Sequence, residues 1–67
     1  MALTLKAARV NKGYTRPDVI GILAEKGIKL SVNTLASYEN KVTQPDISVA
    51  KMLASIYEMS IDDIIFL

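Results

Sequence analysis

The sequence has no cysteine and no histidine. Without cysteine there is no disulfide framework and no thiolate metal site. Without histidine the commonest general base and the commonest zinc ligand are missing together. Glycine is confined to Gly13, Gly21 and Gly27, and these lack the spacing that cradles a phosphate. The longest run of apolar residues and glycine, Val19 to Ala24, falls far short of the ~20 residues that span a bilayer. The segment Met1 to Lys6 has no basic stretch followed by an apolar one, as a secretory leader would. What is present is globular in composition: 67 residues, 51% apolar and 22% charged, a size suited to one domain with no staple. The expectation is a single soluble, cytoplasmic domain over residues 1–67, with no membrane association, no metal and no cofactor.

The charge is near balance overall, at +1, but unevenly placed. Residues 1–44 carry seven basic side chains against three acidic ones, and residues 45–67 carry one against four. A basic part followed by an acidic one allows one face to meet a polyanion while the other end stays away from it. Catalysis finds little support. Asp62 and Asp63 are adjacent, so on a helix they would point about 100° apart and would not share a site. They fit better as first-turn acids favoured by the helix dipole. The chain is not expected to be an enzyme.

The dominant period is helical. Leu5 and Ala8 begin an apolar stripe that Gly13 ends. Thr15 reads as a cap, with Asp18 three residues on and Pro17 in the first turn. Val19, Ile22, Leu23 and Lys26 follow at helical spacing, and Gly27 closes that segment. Ser31 caps the next, with Leu35 and Tyr38 inward. Asp46 caps a fourth, with Ile47, Ala50, Leu53, Ala54 and Tyr57 along one side. Ser60 and Asp63 suggest a further capping box before Ile61, Ile64 and Ile65. Five short helices are therefore predicted.

The third helix carries the functional signal. With Leu35 and Tyr38 inward, the opposite side presents Val32, Asn33, Ala36, Ser37 and Asn40, a stripe with no charge. A solvated helix face normally carries Lys and Glu. Small hydrogen-bonding residues with one methyl-bearing valine suit a DNA major groove: Asn pairs with adenine, Ser bonds either base edge, and Val packs on a thymine methyl.

These segments resemble a known family. Leu5-Lys6-Ala7-Ala8-Arg9 through Gly13 and Thr15-Arg16 is similar to the opening of the Cro/CI-type helix-turn-helix domain, L-K-x-x-R-x-x-x-G-x-T-Q. Ser31-x-x-Thr34-Leu35-x-x-Tyr38-Glu39-Asn40 resembles its recognition helix, S-x-x-T-I-x-x-[WY]-E-N. Pro45-Asp46-Ile47 with Leu53-Ala54, and Ser60 to Ile64, resemble its last two helices. The resemblance implies an all-α, compact, five-helix, lambda-repressor-like fold with the helix-turn-helix at helices 2 and 3. It implies a transcriptional regulator, a phage- or prophage-type repressor, that binds a palindromic double-stranded DNA operator as a homodimer. No small-molecule ligand is implied. Val32, Asn33, Ala36 and Ser37 would read bases. Arg16, Asn40, Lys41 and Thr43 would hold phosphates, and Arg9 and Glu39 would form a structural ion pair. The C-terminal residues Ile61, Ile65, Phe66 and Leu67 are the apolar candidates for the dimer contact. Two rivals use the same fold: a DNA-binding antitoxin, and a protein-interaction module that has lost DNA binding.

The chain also departs from the pattern. Arg16 stands where Gln is usual. The spacing from Thr15 to Ser31 is longer than the family's, with Ala24 to Leu30 filling the gap. The small residue inside helix 2 that lets helix 3 approach falls on Ile20 by strict count, leaving Gly21 as the substitute. Lys41 and Glu58 stand where glycine is frequent.

Overall fold

A computed structural model describes residues 2–66 of the chain. Its order is β1 (Leu3–Thr4), α1 (Leu5–Asn11), α2 (Arg16–Glu25), α3 (Val32–Glu39), α4 (Ile47–Ile56), a 3₁₀ turn over Ile61–Asp63, and β2 (Ile64–Ile65). Every helix start has a side-chain cap. Thr4 Oγ1 accepts the Ala7 N–H at 3.1 Å. Thr15 and Asp18 form a reciprocal capping box, with Thr15 N–H donating to Asp18 Oδ2 at 2.9 Å. Ser31 Oγ accepts the Thr34 N–H and Asp46 Oδ1 the Val49 N–H. Each cap satisfies an amide that the helix itself cannot, worth about 1 kcal/mol.

The helix ends share one device. After the cap residue comes a residue with positive φ: Gly13 (77°), Gly27 (84°), Lys41 (63°) and Glu58 (56°). The following N–H then reaches back to close the helix, from Tyr14 to Arg9 O, Ile28 to Leu23 O, Val42 to Ser37 O and Met59 to Ala54 O. This is the Schellman arrangement, in which the left-handed residue is usually glycine. Tyr14, Ile28 and Met59 then pack against the core, whereas Val42 is left 74% exposed.

The core brings together Leu5 and Ala8 of α1, Val19 and Leu23 of α2, Leu35 of α3, and Leu53, Ala54 and Ile56 of α4, with Tyr57 and Ile64 closing it. Leu23, Leu35 and Leu53 are fully buried, and each such side chain contributes roughly 1.5–3 kcal/mol relative to exposure.

Three expectations need correction. The described residues form four α-helices and not five. The segment after Ser60 makes a single 3₁₀ turn, with Asp63 N–H donating to Ser60 O at 2.9 Å. It stops there because the β-branched Ile64 and Ile65 leave the helical path and pair with Leu3 and Thr4 as parallel strands. The fold is thus all-α in class, with a minimal two-stranded clasp between Leu3–Thr4 and Ile64–Ile65 added to the helices. Ile47, the first residue of α4 and three residues ahead of Ala50, is exposed and does not join the buried side of the helix. Gly21, finally, does not serve a close helix approach: a Cβ there would meet nothing within 4 Å. Ile20 instead packs against the core at its edge.

Candidate nucleic-acid interface

The helix-turn-helix consists of α2, a connection over residues 26–31, and α3. Its second helix is fixed from below and from its far end. Leu35 is fully buried, and Glu39 closes the helix with a side chain at zero exposure. A buried carboxylate needs compensation, because desolvation strongly disfavours an unpaired charge. Glu39 has it from two helices. Arg9 of α1 donates from Nε to Glu39 Oε2 at 2.7 Å and from Nη2 to Oε1 at 3.3 Å. Arg16 at the start of α2 donates from Nε to Oε1 at 2.9 Å. Arg9 Nη1 also donates to the Tyr14 carbonyl at 2.8 Å, anchoring the turn between α1 and α2. Replacing such a group by a hydrophobe can be neutral, but stranding one partner costs about 3–5 kcal/mol. The cluster therefore fixes the orientation of α3 relative to α1 and α2, whatever it adds to net stability.

The opposite side of α3 meets solvent. Val32 and Asn33 are exposed, and Ala36 and Ser37 are half-buried. Asn40 is the exposed C-cap, followed by exposed Lys41 and Thr43. The N–H groups of Val42 and Thr43 both donate to the Ser37 carbonyl, at 3.0 and 3.4 Å, folding this loop back on the helix end. Asn33 and Ala36 are thus bracketed by an exposed uncharged start and an ordered, basic end. Arg16 sits at the first position of α2 with its side chain 30% exposed. Its link to Glu39 is invisible to local sequence pattern, because the two residues meet only through the tertiary fold.

Lys41 adopts its left-handed conformation without glycine's freedom. Such a conformation costs an ordinary residue about 1–2 kcal/mol. Glu58 bears the same strain at the end of α4, where it receives a hydrogen bond from Lys12 Nζ at 2.8 Å. That bond holds the Glu58 carboxyl below its usual range and raises the Lys12 ammonium. Lys41 makes no ion pair among the described residues.

Of the C-terminal apolar residues, Ile61 and Phe66 pack against the core and Ile65 is exposed. Leu67 lies outside the described residues. No group of acidic side chains suited to hold a metal ion occurs among the described residues, and no described helix is long and apolar enough to cross a membrane.

Two capped helices joined by a turn, the second with a polar outward side and its end locked to the first, define a helix-turn-helix domain. The family model described as helix-turn-helix matches residues 5–64. The chain belongs to this Cro/CI-type family of DNA-binding domains of transcription regulation. No curated protein and no solved structure gave a match.

Proposed function

We propose that the chain is a sequence-specific transcriptional repressor of phage or prophage type, acting in the cytoplasm as a twofold dimer on a palindromic operator. It acts by binding and not by catalysis. The observation that carries this reading is the uncharged outward stripe of α3 on a helix held rigidly by Glu39. A helix whose exposed side is uncharged but can donate and accept hydrogen bonds, and whose orientation is fixed, suits a groove whose donors and acceptors must be met at fixed positions.

In this mechanism Asn33 pairs with adenine, Val32 packs on a thymine methyl, and Ser37 bonds a base edge. Ala36 gives the helix a surface low enough to enter the groove. Asn40, Lys41 and Thr43 grip the backbone beyond the helix end. Arg16, held at Nε by Glu39, offers its terminal nitrogens to a phosphate at the start of α2. Phosphate contacts set register and base contacts set preference.

Selection of bound sites from a random duplex pool supplies the operator, and Asn33→Ala and Lys41→Ala are then compared on it and on scrambled DNA. Asn33→Ala is expected to cost about 1–3 kcal/mol on the selected site and to relax one base pair. Lys41→Ala is expected to weaken all sequences alike and to lower the salt slope by about 0.9 unit. Equal weakening of both DNAs by Asn33→Ala would remove it as a base reader. A protein that selects no site and passes through a heparin column at low salt would be an interaction module instead.

A further inference from the structure

The connection between α2 and α3 is long, and it is built, not slack. Gly27 ends α2 with φ 84°, and the Ile28 N–H closes that helix on Leu23 O at 2.9 Å. Ile28 and Leu30 both pack against the core, while Lys29 between them is exposed. Ser31 then caps α3 through its bond to the Thr34 N–H. Each residue of the connection after Lys26 is thus fixed by a turn, a core contact or a cap, except Lys29. Its backbone is held on both sides and its side chain projects away from the core, two residues ahead of the cap of the reading helix.

Lys26 has a local reason for its charge, since it caps the C-terminal end of α2, where a cation meets the helix dipole favourably. Lys29 has none. It belongs to no helix, and among the described residues it forms no ion pair. At the other end of α3, Lys41 is also exposed and forms no ion pair among the described residues, in a conformation that suits glycine better. Two cations without an ion-pair partner among the described residues therefore flank the uncharged outward side of a helix about 12 Å long. Resting on the DNA-binding reading above, we propose that the lengthened connection is an additional backbone grip, with Lys29 as its phosphate-contacting residue. It would engage the strand next to the bases met by the N-terminal end of α3.

The test compares Lys29→Gln, Lys29→Arg and Lys51→Gln with the parent protein on the selected duplex and on scrambled duplex, across a salt series. Lys51 is an exposed lysine on α4, so its loss reports the effect of net charge alone. Lys29→Gln is expected to bind both duplexes several-fold more weakly at low salt, with the slope of log affinity against log salt reduced by about 0.9 unit. Lys29→Arg is expected to keep the parent slope, and Lys51→Gln to change it much less than Lys29→Gln. Circular dichroism checks that each variant is folded. If the parent binds DNA and Lys29→Gln keeps its slope, or matches Lys51→Gln, the grip does not exist although the DNA-binding reading stands. If the parent binds neither duplex, both fall together.

Discussion

Tyr57 carries its hydroxyl into the core, where it has no hydrogen-bond partner among the described residues. Burial, followed by the negative charge of Glu39, pushes its ionisation well above the ordinary tyrosine value, with Arg9 opposing. Because the folded value lies above the unfolded one, the neutral side chain favours the fold fully below about pH 10. That contribution declines as pH rises through the unfolded value towards the raised one. Removing an unpartnered buried hydroxyl is close to neutral or stabilising, within about 1 kcal/mol. Tyr57→Phe is therefore expected to match or exceed the parent in neutral thermal unfolding, and to flatten the alkaline loss of stability. A loss of more than about 2 kcal/mol would show that the hydroxyl has a strong partner after all. At this scale the sequence carried only part of the site. Residue type and helical spacing picked out Asn33 and Ser37. The donation from Arg16 to Glu39 could not be read, because it depends on how α2 lies across α3.

Among the elements, local signals were readable. The Thr15–Asp18 box, the Ser31 and Asp46 caps and the stops at Gly13 and Gly27 each involve residues within one turn, so their chemistry is written in adjacent letters. The 3₁₀ turn and the clasp were not readable. Strands of two residues show no period, and the partner of Leu3 lies at the other end of the chain. Two glycines separate conformation from space. Gly27 has positive φ and Gly21 does not, while neither has a neighbour that a Cβ would strike. Gly27→Val is expected to destabilise by about 1 kcal/mol or more through the backbone alone, because a β-branched residue resists positive φ. Gly21→Ala is expected to stabilise by up to about 1 kcal/mol, from helix propensity. Thermal or urea unfolding measures both; a neutral Gly27→Val would place the end of α2 elsewhere.

For the molecule as a whole, the area available sets the mode of assembly. A stable protein–protein interface covers about 800 Å² on each partner, a fifth of the 4076 Å² that the domain exposes. The exposed large apolar side chains, Val10, Val32, Val42, Ile47 and Ile65, are distributed over separate elements. The proposed dimer is accordingly expected to assemble on the DNA: sedimentation should show a monomer alone and two protomers on a palindrome with half-sites about 34 Å apart. One protomer per palindrome, with the second half-site unprotected, would refute the dimer. The clasp has a mechanical consequence of its own. Leu3–Thr4 and Ile64–Ile65 run in the same direction, so tension between the segment preceding Leu3 and the segment following Ile65 slides one strand along the other. Their cross-strand hydrogen bonds are loaded together in shear and are not peeled apart one by one. The pull thus meets the clasp before it reaches α2 and α3.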